Sequence, residues 1–184
     1  MKKYLLPAIR LTMVMLVLCC GFYFGFIYLL GKLAPGAGNG EQVVVKGKVA
    51  GYTLIGQKFT EDKYFWSRPS AVDYNAAGSA GSNKGPSNPD YLKIVADRID
   101  TFMVHNPGVK KSEIPAEMVT ASGSGLDPDI SPASAYLQVK RVAQVRNINL
   151  SKVKSLVDQH IKKNPLGPDV INVLALNVAL DELK

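Results

Sequence analysis

The longest apolar run stretches from Leu11 to Gly31, 21 residues without a charge. As a helix it would span ~31 Å, close to the ~30 Å hydrocarbon core of a bilayer. A transmembrane helix is expected there, behind a short tail of residues 1–10. A cleaved signal peptide needs a shorter apolar region and a small-x-small cleavage site. Here Leu33-Ala34-Pro35-Gly36 places a proline where cleavage is awkward. The residues before Cys19 and Cys20 are not small, which argues against a lipoprotein signal. Gly21 and Gly25 form a G-x-x-x-G pair that lets another membrane helix approach closely. Glycine is common in such helices, so the pair alone does not decide between packing and chance.

Beyond the span the pattern changes. Residues 32–42 are rich in Gly and Ala and read as a linker. Residues 43–184 have the composition of one domain. Alternation predicts a strand over Val43–Val49, a second over Tyr52–Phe59 and an extended piece at Tyr64-Phe65-Trp66. A long loop, Ala76–Pro89, follows. Asn88-Pro89-Asp90 predicts a helix start, and Leu92, Val95, Ile99, Phe102 and Met103 make its stripe. After a second loop, Thr120–Ser131, three more helices are expected, capped by Ser131, Ser151 and Asp169. Strands followed by helices predict an α+β domain.

The formal net charge is +7, from 22 Lys and Arg against 15 Asp and Glu. Lys2, Lys3, Arg10 and Lys32 flank the apolar run, and only +3 remains from Leu33 onward. The basic balance is therefore a topology signal rather than a nucleic-acid footprint. It favours a cytoplasmic N-terminus, a single-pass anchor in the cell membrane and an extracytoplasmic domain. Membrane lipid is an expected partner and nucleic acid is not. Both cysteines fall inside the span, which excludes a disulfide scaffold.

Candidate chemistry is sparse. His105 and His160 lack a histidine partner at helical spacing, so no metal site is expected. Asp127-Pro128-Asp129 does not follow a calcium-loop spacing and reads as loop and cap chemistry. Ser122-Gly123-Ser124-Gly125 lacks the nucleophile-elbow and phosphate-loop frames. Its amides suit an anion nest or a tight turn. An anchored hydrolase using Ser124 and Asp127, or an anchored binding domain, stands as the alternative function. Tyr64–Pro69 reads either as a contact surface or as a core strand end with Arg68 bonding loop carbonyls. Arg141 and Arg146 either bind the Asp127 loop or are solvated.

Several stretches carry a resemblance. They are Gln57-Lys-Phe59, Tyr64-Phe65-Trp66-Ser67-Arg68-Pro69-Ser-Ala71, Tyr74-Asn75 and Gly81-Ser82-Asn83-Lys-Gly85-Pro-Ser-Asn88. A second group is Val119-Thr120-Ala-Ser122-Gly123-Ser124-Gly125-Leu-Asp127-Pro128, Ile130-Ser-Pro132 and Gln138-Val-Lys-Arg141-Val-Ala143. Leu156-Val157 with His160, and Asn172-Val-Leu174 with Leu176-Asn177, complete it. In this order, behind one span, they resemble the C chain of Kdp-type potassium-transporting ATPases. Two departures stand out: Asp129 occupies a position where the family usually has His, and Asn164–Val170 is shorter than usual.

The resemblance implies a non-catalytic subunit, needed for assembly, of an ATP-driven potassium importer. Its partners would be a channel-like potassium-translocating subunit, a P-type ATPase subunit and a small single-span peptide. No catalytic residue or directly bound cofactor is implied for this chain; ATP and potassium are handled by the complex. The family is described as a catalytic chaperone that raises the ATP affinity of the ATPase chain. The signature residues would serve partner contact or loop structure, and Gly21 and Gly25 membrane packing.

Overall fold

A computed structural model describes residues 2–183. The chain divides into two compact units between Gln42 and Val43. The first is built on a continuous helix of α1 (Lys2–Leu16), a π-helical stretch (Val17–Tyr23) and α2 (Phe24–Gly31). Lys3–Gly31, 29 residues of it, contains an 18-residue stretch of mean hydropathy 2.3 and is long and apolar enough to cross a membrane. The helix starts well before Leu11, with Pro7 inside it. Cys19, Cys20 and Gly21 lie on the wider π turn. A 3₁₀ turn at Pro35–Gly38 follows inside the linker.

The second unit opens with a hairpin of β1 (Gln42–Val45) and β2 (Lys48–Tyr52). The expected single strand over Val43–Val49 is thus folded in two. Lys46 and Gly47 both have positive φ, 49° and 78°, the left-handed pair a two-residue hairpin turn requires. Nor is Tyr52–Phe59 a second strand. Its backbone bonds elsewhere: the Gly56 amide donates to Leu126 O at 2.8 Å, and Gln57 O accepts from Ser67 Oγ at 2.9 Å.

Four helices follow. α3 (Pro89–His105) is capped by Asn88, whose Oδ1 accepts from the Tyr91 amide at 3.0 Å. α4 (Pro132–Arg146) is capped by Ser131 and ends at Asn147 with φ 53°, a left-handed stop. α5 (Leu150–His160) is capped by Asn149 rather than Ser151; Asn149 Oδ1 takes both the amide and the hydroxyl of Ser151. α6 (Val173–Glu182) is capped by Asn172 rather than Asp169. The later start comes from a short antiparallel pair, β3 (Asp129–Ile130) with β4 (Ile171–Asn172), which keeps the chain extended up to the cap. The domain is α+β. Its core joins Ile130 and Ile171 of this pair to Phe102, Val142, Val153, Val157, Leu176 and Leu180 from the helices, with Phe65 among them.

Candidate functional site

Phe65 and Trp66 are extended but belong to no sheet. Two carboxamides from helices act as their strand partners. Asn177 of α6 accepts from the Phe65 amide and donates to its carbonyl, both at 2.9 Å. Gln138 of α4, fully buried, accepts from the Trp66 amide at 2.7 Å and donates to its carbonyl at 3.4 Å. An unpaired buried peptide group costs about as much as a lost hydrogen bond, so these amides are what lets the segment run through the core.

Arg141, 4% exposed, completes the clamp. Its Nη1 donates to Asp62 O at 2.5 Å and Tyr64 O at 2.9 Å, its Nη2 to Gln138 Oε1 at 2.7 Å and its Nε to Asn106 Oδ1 at 3.0 Å. The guanidinium also lies 4.8 Å from the Trp66 ring centre. Burial lowers its pKa to about 10, opposed by the Asp62 carboxylate, so it stays charged at neutral pH. Arg146 is bonded to Lys63 O and to Asp181, which also accepts from the Tyr64 hydroxyl. Both arginines therefore grip the aromatic segment, and neither binds the Asp127 loop. Phe59 packs against Tyr64, ring centres 5.7 Å apart.

That loop is held by Arg68, whose Nη1 meets Asp127 Oδ2 at 2.7 Å. Arg68 thus pairs with a carboxylate instead of loop carbonyls. The other Asp127 oxygen accepts from the Asp129 amide at 3.0 Å. Around this pair the signature loops interlock. Pro69 O accepts from the Ser122 amide, and Arg68 O from the Tyr74 hydroxyl at 2.5 Å. Burial pushes the Tyr74 phenol up to about 12. Gly125, at φ 69°, fits where a Cβ would lie 2.6 Å from Val72 and 2.8 Å from Ala80 O. Gly56 is equally constrained, since a Cβ there would lie 2.4 Å from Asp127 O. Thr120 Oγ1 donates back to Ala116 O at 2.7 Å, and Pro128 O accepts from the Val173 amide at 2.9 Å.

Glu117 sits behind the loop. Burial works to raise its carboxyl, but hydrogen bonds from Ser134 and Ser131 prevail, and its pKa falls below the ordinary value. Asp129 moves the other way. Burial first, then the neighbouring Asp127, raise its carboxyl against the opposing Asn172 hydrogen bond. Its charge therefore costs stability once pH rises through the folded value. An Asp129→Asn variant is expected to melt slightly higher at pH 7, by at most about 2 °C after solvent screening. Scans at falling pH should show the two proteins converge below the ordinary aspartate range, where both states are protonated.

The structure brings Gln57, Phe59, Tyr64–Pro69, Gln138 and Arg141 into one frame, with Thr120–Pro128 locked against it through Arg68 and Pro69. It leaves another part outward. Asn75–Ala80, Asn83–Ser87, Gly123 and Ser124 are exposed, while Ser82 and Asn88 are half-buried. Ser79 Oγ donates to Ser124 O at 2.9 Å, and a Cβ on Gly81 would lie 3.0 Å from Gly123 O, so the two loop tips lie side by side. Lys84, next to the exposed Gly85, is the sole charge between Asn75 and Asn88. Gly21 and Gly25 belong to the other unit, where both are exposed on the apolar helix.

Geometry lends a hydrolase no support. Ser124 Oγ accepts from the Leu126 amide, and both Asp127 oxygens are engaged as described. The histidines bond elsewhere: His105 to Asp62 and His160 to Leu156 O. No cluster of three or more metal-ligating side chains occurs among the described residues. Gly56 and Glu117 escape sequence reasoning, since their only signal is a lone Gly or Glu outside any motif; Asn106 is readable as the start of the Asn106-Pro107-Gly108 helix stop but not as a partner of Arg141.

The family described as K⁺-transporting ATPase, c chain (KdpC) matches residues 5–182. A potassium-transporting ATPase KdpC subunit of Flavobacterium johnsoniae is 58% identical over 182 residues, covering 99% of this chain and 100% of the relative. The subunit of the same name from Bacteroides fragilis is 52% identical over 188 residues, covering 99% and 98%. That of Caldanaerobacter subterraneus is 47% identical over 182 residues, covering 96% and 94%. With the match running through the apolar helix, the interlocked loops and α6, the chain belongs to the KdpC family, the c chain of K⁺-transporting ATPases.

Proposed function

We propose that the chain is a non-catalytic accessory subunit of an ATP-driven potassium importer, anchored by its N-terminal helix with its domain outside the cytoplasmic membrane. The observation that carries this reading is the match along residues 5–182 to K⁺-transporting ATPase c chains. The side chains point the same way. Asp127, Gln138 and Arg141 spend their hydrogen bonds on backbone and on Arg68, Asn106 and one another, which is how a scaffold uses polar residues. What they present outward is the nearly neutral face of residues 75–87 with Gly123 and Ser124. We assign partner contact to that face, and helix packing in the membrane to Gly21 and Gly25.

The chain has no D-K-T-G phosphorylation motif, so energy conversion falls to a P-type ATPase subunit. A channel-like potassium-translocating subunit and a small single-span peptide complete the assembly. With the domain outside, any rise in ATP affinity passes through the complex rather than through contact with nucleotide. The test is a mild-detergent pull-down of the tagged full chain with subunit identification. Co-purification of a P-type ATPase and a potassium-translocating chain is expected; recovery alone would overturn the reading. Placement is tested separately at Ser87→Cys, which should react with an impermeant thiol reagent in intact cells.

A further inference from the structure

Two leucines of the second unit stand almost clear of it. Leu54 is 76% exposed and Leu166 98%. Leu54 lies in the turn that follows the hairpin, where the Ile55 amide donates back to Tyr52 O at 3.1 Å. Leu166 tips a loop that is built rather than slack. Lys162 and Val170 exchange backbone hydrogen bonds of 2.8 and 3.2 Å across its base. Inside it, Asn164 Oδ1 accepts from the Leu166 amide at 3.2 Å, and Asn164 O from the Gly167 amide at 3.3 Å. A leucine held this way is ordered before it meets anything, so contact costs it little further freedom.

The two tips share one end of the unit. Thr53 O, next to Leu54, accepts from Asn172 Nδ2 at 2.8 Å, and Asn172 follows closely on the base of the Leu166 loop. The chain enters at the same end. The turn at Lys46-Gly47 folds β2 back along β1, so Tyr52 returns to the level of Gln42, where the linker arrives. That linker, residues 32–42, reaches at most about 40 Å fully extended, and less with Pro35–Gly38 coiled. A bilayer holding the anchor therefore stays within reach of this end at high effective concentration, and a weak contact suffices.

The charges around the Leu166 loop nearly cancel. Lys162 acts on Asp129, and Asp169 accepts from the Asn164 amide, which leaves Lys163 near the tip. A leucine entering the headgroup layer brings little unpaired charge with it, and a nearby lysine can keep its ammonium in water.

We propose that Leu54 and Leu166 are membrane-contact tips, which enter the headgroup layer of the bilayer that holds the anchor and seat the domain on it by this end. What they meet is lipid rather than protein. The attraction is apolar, so it does not depend on lipid charge. It rests on the anchor spanning a bilayer, and it holds on whichever side the domain stands.

The test uses the full chain with Cys19→Ala and Cys20→Ala, one copy per phosphatidylcholine nanodisc, and an NBD fluorophore at Leu54→Cys or Leu166→Cys. Val104→Cys is the control. It is 75% exposed and adjoins His105, whose partner Asp62 is close to Tyr64, bonded to Asp181 at the other end of α6 from Asn172. Lipids with a nitroxide near the headgroup should quench the label at both tips and not at Val104, and equally so when phosphatidylglycerol replaces part of the lipid. Leu54→Asp should weaken quenching at Leu166→Cys by about twofold or more, since aspartate resists entry into lipid. Thermal midpoints confirm that each variant is folded; should Leu166→Cys fail, Lys163→Cys reports on the same loop. Absent quenching, or equal quenching at Val104→Cys, in discs that hold the chain would overturn the tips while leaving the anchor intact. A blue-shifted label that lipid nitroxides do not quench would put protein on the tips and overturn them as well. A chain that does not stay with the discs would refute the anchor and the tips together.

Discussion

A Gly125→Ala variant is expected to lose about 2–4 kcal/mol of stability, read as a thermal midpoint lower by roughly 5–12 °C. Two causes add. At φ 69° an alanine meets the left-handed penalty of about 1–2 kcal/mol. Its methyl would also meet Val72 Cγ2 at 2.6 Å and Ala80 O at 2.8 Å, the second of which is backbone and cannot rotate aside. Gly123, two residues earlier, is the control. It is exposed, and an added methyl would find nothing within 4 Å, so Gly123→Ala should stay within about 0.5 kcal/mol. Equal effects at the two glycines, measured on the full chain in one detergent, would mean that the loops do not interlock as described.

Arg141→Ala is expected to cost still more, about 3–5 kcal/mol, because four acceptors lose its donors at once, and of these Gln138 Oε1 keeps the Trp66 amide. Gln138 and Asn106 are buried and cannot turn to water for a substitute. The Asp62 and Tyr64 carbonyls lose the donor that holds the segment against α4. Arg141→Lys should rescue little, since one ammonium cannot reproduce a planar fork that serves acceptors in several directions. The checks are the thermal midpoint and near-ultraviolet dichroism, where Trp66 should lose its asymmetric surroundings. Recovery by lysine of most of the lost stability would show that charge, not geometry, is what Arg141 supplies.

How much of this is legible along the chain depends on the range of the interactions. Asn88 and Ser131 are readable as caps because capping needs only a side chain and an amide three residues on. Asp169 misleads because the start of α6 is set by β3, forty residues upstream, pairing with β4. The Lys46-Gly47 turn does carry a local signal, a glycine between valine runs, but the alternation across it reads equally as one longer strand. The grip of Arg141 on Asp62 and Tyr64 spans nearly eighty residues, and no spacing rule reaches that far. The motifs mark Gln138, Arg141, Arg68 and Asp127 as special, but which of them meet is a property of the packed helices. Gly56 is invisible for the same reason, since its constraint is the Asp127 carbonyl on another segment.

The carboxamides of Asn177 and Gln138 have one more consequence. A peptide group paired to a side chain has no neighbouring strand to hand its pattern on to, so the ladder begins and ends with one residue. The buried Phe65 and the half-buried Trp66 thus have their peptide groups paired without offering an edge that a second chain could extend. With two two-stranded sheets among the described residues, an extended segment with unpaired peptide groups would ordinarily be the place where copies stick to one another. Here the helices have closed that edge from within, and the domain keeps an extended, aromatic-rich strip without its usual hazard of self-association.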